Sequence, residues 1–253
     1  MVTTFIGIDA SWKTANPSGV AIARGSSAEA TLIALVCAQT HVDVATVVQK
    51  FRSENTIVSI DAPLVVTNAV GSRVCEAQIS REFGRFHASA HSMNRPRFDL
   101  YGLGHLVQTL EKFGFSHGVE GNQIRTDGLR MFEVYPHPAH IRLFDRESII
   151  RYKPKYRSAQ QRAGLAELRA LTAQLAVGRD PRLCPGPDGR AFLSADLSNM
   201  KGKTLKCYED RLDAWTCVYI AMHLVRWGIK GNEVFGTRED GYIVVPRHRS
   251  ELR

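Results

Sequence analysis

Three β-type runs joined only by turns, then a single helical stretch before a fourth run, constrain residues 4–60 more than any other feature of the chain. Residues 4–8, 20–23 and 31–36 are rich in β-branched and apolar side chains, and the first connection carries the turn sequence Asn16-Pro17-Ser18-Gly19. Such links join neighbours antiparallel, so the three runs read as a meander. Apolar residues recur at helical spacing over 42–51, and 56–60 reads as a short strand stopped by Pro63. A helix between two strands is a crossover, which places strand four parallel to strand one.

Downstream, helices are expected over 73–82, 103–113, 159–175 and 204–227. A fifth strand is expected over 129–135, closed by Pro136 and Pro138, and a late strand over 241–246. Gly, Ser, His and Asn gather at 84–94, and the Pro/Gly/Asp stretch 180–189 reads as a surface loop. No internal repeat is present. One α/β domain over 1–253, with a helical insertion at about 64–125 after strand four, fits this order.

Composition narrows the classes. With 253 residues, 44 % hydrophobic and 23 % charged, the chain has the make-up of a globular protein with a core of its own. No uncharged apolar run reaches the roughly 18–20 residues that span a bilayer. The opening residues 1–9 lack a basic segment and include an acid, so they read as a strand and not a signal peptide. The 5 cysteines form no C-x-x-C pair and read as reduced thiols of a cytoplasmic protein. Lys and Arg total 33 against 25 Asp and Glu, a net charge of +8 that favours anionic partners, with nucleic acid foremost.

The acids fall at telling places. Asp9 closes the first strand and Asp61 the fourth. Parallel neighbours bring both carboxylates to one carboxyl edge, where open α/β sheets bind ligands. Glu133 lies within the fifth strand. Asp210 and Asp213 share a helix face, with Glu209 four residues before Asp213. Carboxylates gathered in a low-dielectric site repel one another unless a cation sits among them. All-oxygen clusters suit Mg2+ or Mn2+, and two such ions about 3.5–4 Å apart clamp both oxygens of a phosphodiester displacement. Singly, each acid has a plainer reading: an Asx turn for Asp9 or Asp61, a solvated helix face for Glu209 and Asp210. Their order along meander, crossover and final helix favours one shared site.

Four segments, Phe5-Ile6-Gly7-Ile8-Asp9-Ala10, Ser59-Ile60-Asp61-Ala62-Pro63-Leu64, Phe132-Glu133-Val134-Tyr135-Pro136 and Glu209-Asp210-Arg211-Leu212-Asp213-Ala214, carry a resemblance in order and spacing. The chain resembles the predicted-nuclease family of the RNase H-like superfamily called domain of unknown function 429. Gly71-Ser72-Arg73-Val74-Cys75-Glu76 and the stretch from Glu239 to Pro246 are similar to it as well. The resemblance implies a mixed five-stranded sheet of order 3-2-1-4-5 flanked by helices, and metal-dependent cleavage of nucleic-acid phosphodiesters. It implies that Asp9 bridges both ions, Asp61 is the fourth-strand acid and Asp213 the terminal-helix acid. Asp210, one turn earlier, resembles the paired acids on the last helix of Holliday-junction resolvases and joins the metal ligands. Glu133, in the family's fourth motif, joins the catalytic carboxylates.

Basic residues supply candidate substrate contacts. Arg151, Lys153, Lys155 and Arg157 interleave with Tyr152 and Tyr156, a composition that pairs with phosphates and stacks on unpaired bases. A solvated basic loop is the plainer reading. Lys201, Lys203 and Lys206 directly precede the acidic helix, and Arg73 could reach a phosphate from the insertion. Gly202-Lys203-Thr204 is no Walker A loop, because Leu197 stands where its first glycine belongs. The pairs His87/His91 and His137/His140 have ligand-like spacing but no accompanying metalloprotease motif. A non-catalytic nucleic-acid-binding module and a phosphotransfer enzyme are the alternative functions.

Overall fold

In the computed structural model, residues 2–12 and 16–252 are described. The strands are β1 (Thr3–Asp9), β2 (Ser18–Gly25), β3 (Glu29–Ala38), β4 (Thr56–Ile60), β5 (Ser116–His117), β6 (Val119–Glu120), β7 (Gln123–Ile124), β8 (Leu129–Glu133), β9 (Arg182–Cys184), β10 (Asn232–Thr237) and β11 (Gly241–Pro246). The helices are α1 (His41–Phe51), α2 (Val74–Phe83), α3 (Arg95–Leu100), α4 (Leu103–Lys112), α5 (Pro136–Leu143), α6 (Ser158–Ala173), α7 (Gly186–Leu193) and α8 (Gly202–Gly231).

The central sheet runs β5-β8-β4-β1-β2-β3-β9. β1 pairs antiparallel with β2, and β2 with β3; the β1/β4, β4/β8, β5/β8 and β3/β9 pairs are parallel. Seven strands replace the five expected, because two short strands, β5 and β9, extend the edges. β9 and α7 also correct the surface loop expected over 180–189. The proline and glycine residues there punctuate short elements, and Leu183 is buried among the core residues. The hairpin of β10 with β11 was half legible, since only β11 has a clean apolar run.

Side-chain alternation decides which face meets what. Ile6, Ile8, Val20, Ile22, Val58 and Ile60 pack with α1 and α4 on one face. The other face carries Phe5, Gly7 and Asp9 on β1, Gly19, Ala21 and Ala23 on β2, and Ile57 and Ser59 on β4, with Asp61 directly after its end. Mostly small side chains there let α8 lie directly on the sheet. A Cβ at Gly7 would stand 2.1 Å from the Ala214 carbonyl oxygen, and one at Gly19 2.0 Å from that of Asp210. The stretch from Leu212 to Leu224 is therefore buried on every side, as expected of a helix that is apolar all round. A third apolar cluster joins α2 and α5 to the β10/β11 hairpin.

The cysteine expectation is also corrected. Cys37, near the end of β3, is bonded to Cys207 in the second turn of α8, with Cα atoms 6.0 Å apart; Cys75, Cys184 and Cys217 are free thiols. The partners are 170 residues apart, so no local spacing could announce them. No helix among the described residues is long and apolar enough to cross a membrane.

Candidate active site

Parallel register places the first two acids together. Ile8 lies opposite Ile60, so Asp9 and Asp61 leave adjacent strands at the same edge, and the Asp61 amide donates to the Ile8 carbonyl at 2.8 Å. Asp9 follows Phe5 and Gly7 on the face that α8 covers, so the helix brings Asp210 and Asp213 to it. Asp9 and Asp210 stand near enough that each raises or offsets the other's ionisation. The four acids thus converge, three of them (Asp9, Asp61 and Asp210) lining a cleft of about 610 Å3 and Asp213 lying beneath it.

Two lysines enter the cluster. Lys153 Nζ donates to Asp213 Oδ2 at 2.6 Å and lies 3.2 Å from Glu209 Oε1. Lys206 Nζ donates to Glu209 Oε1 at 3.1 Å and to Asp210 Oδ1. Tyr152 donates its hydroxyl to Asp213 Oδ1 at 2.7 Å, so both Asp213 oxygens are engaged. Lys153, one of the basic residues expected to contact phosphate, lines the cleft and is ion-paired with Asp213 and Glu209. Lys206 reaches back because i, i+3 and i, i+4 neighbours on a helix face each other.

Ionisation follows from this crowding. Burial first, and then Asp9, pushes Asp210 up to about 9. Burial also raises Asp9, with Asp213 adding to it while Lys153 opposes. Asp61 is raised well above the usual carboxylate range by burial and by Asp9. Burial works against charge on Asp213 too, but Lys153 at 2.6 Å prevails and holds it low. Asp213 is thus an ionised anchor, whereas burial disfavours charge on Asp9 and Asp210.

The remaining expected site residues lie in different settings. Glu133 closes β8, where its carboxylate is gripped by Arg73 at 2.8 and 2.5 Å and accepts the Leu64 amide at 2.8 Å. Arg73 also binds Glu76 at 2.9 Å and is itself buried. This pair braces α2 against the sheet, and both members are spent on each other. Lys155 lines the carboxylate cleft, and with Arg151 it also lines an adjoining hollow of about 410 Å3. Arg157 and Lys203 are exposed and outside both linings.

His140 bonds Thr216 Oγ1 at 3.0 Å and is buried, whereas His137, pushed down to about 3 by burial and so neutral, lines the cleft. His87 and His91 both line the cleft. Trp12, half-buried beside Tyr101 and His91 at the cleft, was not singled out in the sequence, and neither was Tyr152 as an acid's partner. A lone aromatic after a strand carries no local signal.

The donor set is hard oxygen throughout. Among the described residues, no group of three or more His, Cys, Asp or Glu is gathered so as to hold a metal ion as the side chains stand. The lysines account for that, since they take Asp213, Glu209 and one oxygen of Asp210. Asp9 Oδ2 and Asp210 Oδ2, however, are buried without any hydrogen-bond partner. Orphaned buried carboxylate oxygens are suited to a cation, and Asp9 and Asp210, with Asp61 nearby, are the residues that would hold one hard divalent ion.

A largely parallel α/β sheet with an acid cluster at its carboxyl edge, braced by two lysines, defines the class of protein. The model of the family described as protein of unknown function (DUF429) matches residues 7–229, and the chain belongs to that family. No curated protein matches it.

Proposed function

We propose that this chain is an RNase H-like, Mg2+- or Mn2+-dependent hydrolase of nucleic-acid phosphodiester bonds. The run β3-β2-β1-β4-β8 at the centre of the sheet supports the fold assignment. The observation that carries the activity is the orphaned, buried oxygen pair of Asp9 and Asp210 at a cleft that three lysines, Lys153, Lys155 and Lys206, also line. We take one ion, held by Asp9 and Asp210 with Asp61 adjacent, because Lys153 and Lys206 already supply positive charge to the other carboxylates. Such an ion, when bound, would supply Lewis-acid charge and a more acidic water.

The chain's own residues do the rest. Asp213 and Tyr152 fix Lys153 so that its ammonium offsets the charge of a phosphate in the cleft. Lys206 does the same from the helix side. Lys155 and Arg151 hold the backbone beyond the cleft, and Trp12 offers a face to an unpaired base.

The test is Mn2+ titration by calorimetry and electron paramagnetic resonance on wild type, Asp9→Asn and Asp210→Asn, followed by a panel of DNA and RNA substrates. One ion per wild-type chain, lost in both variants together with cleavage, is the expected result. Unimpaired cleavage by both variants would overturn the reading. Salt-dependent nucleic-acid binding with neither metal binding nor cleavage would identify a binding module instead.

A further inference from the structure

A separate cavity of about 230 Å3 opens at the other end of α8. Its floor is the helix face bearing Tyr219, His223 and Trp227, spaced four residues apart so that the rings follow one another along the helix. At 1.5 Å per residue, His223 lies about 20 Å along the axis from Asp210. No residue lines both this cavity and the carboxylate cleft.

The polar ends of the floor are tied off. The Trp227 indole N–H donates to the Asp180 carbonyl at 3.2 Å and the Tyr219 hydroxyl to the Pro181 carbonyl at 3.1 Å. His223 is buried, and the Asn232 amide donates to the His223 and Gly228 carbonyls at 3.3 and 2.7 Å. That turns the Asn232 oxygen to His223 Nδ1 at 3.0 Å and fixes the neutral ring with its proton on Nδ1. The floor is therefore rigid, uncharged and aromatic.

The walls are cationic. Asp180 is held by Arg226 at 2.8 and 2.9 Å, Glu233 by Arg142 at 2.7 Å, and Glu251 by Arg247 at 3.4 Å. Each nearby carboxylate thus has its arginine. Arg179 and Arg249, which also line the cavity, have no carboxylate partner among the described residues. The Arg179 guanidinium donates to the Leu143 carbonyl at 2.9 Å, which positions its fork without neutralising it. Planar guanidinium forks match the geometry of phosphate and carboxylate groups.

We propose that this cavity binds a small planar organic anion. Its phosphate or carboxylate is held by Arg179 and Arg249, and its aromatic body lies against Tyr219 and Trp227. Taking about 30 Å3 per displaced water, the volume corresponds to about eight waters, room for a single ring with one acidic group. The hydrolase reading is not required, because the two sites share no residue.

Calorimetric titration of the full chain with phenyl phosphate and benzoate tests this, with phenol and inorganic phosphate as controls. At least one of the two aromatic anions is expected to bind at least tenfold tighter than either control. Arg179→Met/Arg249→Met should weaken that binding at least tenfold, the exposed Arg249→Met alone should weaken it in part, and Arg151→Gln/Lys155→Gln should leave it unchanged. Thermal melting of each variant separates loss of the site from loss of the fold. Absence of binding by both aromatic anions at millimolar concentration overturns the proposal. So does inorganic phosphate binding as tightly as phenyl phosphate, or a loss confined to the Arg151→Gln/Lys155→Gln variant.

Discussion

The Asp210 carboxyl ties stability to pH. Its value is about 9 in the folded protein against an ordinary 3.8, so from pH 4 to 9 the unfolded chain has released a proton that the folded chain retains. The stabilisation from this raised group is complete below 3.8 and is lost as pH rises through about 9. Asp210→Asn keeps the position neutral at every pH. Its urea midpoint relative to wild type should therefore be most favourable near pH 8, with the advantage shrinking steadily toward pH 4; a pH-independent difference would show that Asp210 is ionised throughout. The Arg73–Glu133 pair responds differently, since both charges are buried and matched. Glu133→Gln leaves the buried Arg73 with Glu76 as its remaining anionic partner and should cost about 3 kcal/mol, whereas Arg73→Met/Glu133→Met, which leaves Glu76 without its arginine, should recover only part of it. Chemical denaturation of the two variants checks this. Equal stabilities would mean that the pair carries no coupling.

Elements set the distances between these residues. α8 reaches Asp9 only because Gly7 and Gly19 leave room for its backbone. A methyl group at either position meets main-chain atoms that cannot rotate away, so Gly7→Ala and Gly19→Ala should each destabilise the protein by about 3 kcal/mol or more. Where Gly19→Ala still folds, the displaced helix should bind Mn2+ at least tenfold more weakly than wild type, read by calorimetry. Unaltered affinity would show that the acids converge without close helix docking. Element positions were the most legible part of the sequence. The fourth strand falls where the pattern put it, and α1, α4 and α6 lie within two residues of expectation. β9, β10 and α7 were not read, because short edge elements between prolines and glycines owe their form to the neighbours they pair with.

At the scale of the molecule, the surplus of positive charge is unevenly used. Lys153 and Lys206 are ion-paired within the acid cluster and Arg73 with Glu133, while Lys155 and Arg151 stand along the cleft and its adjoining hollow without a carboxylate partner among the described residues. Nucleic-acid binding should therefore depend on salt through a few contacts. Arg151→Gln/Lys155→Gln should lower the slope of log affinity against log salt by about 1–2 without altering Mn2+ stoichiometry. An unchanged slope would remove both residues from the interface. The sequence by itself determined the order of strands and helices and the acids at β1, β4 and α8, since periodicity, turn residues and strand ends are local properties. Only the tertiary structure decided which charge neutralises which. Lys153 meets Asp213 and Arg73 meets Glu133 across 60 residues, and Cys37 meets Cys207 across 170. A partner at that separation is chosen by how closely α8 and α2 pack on the sheet, and packing is a property of the whole fold.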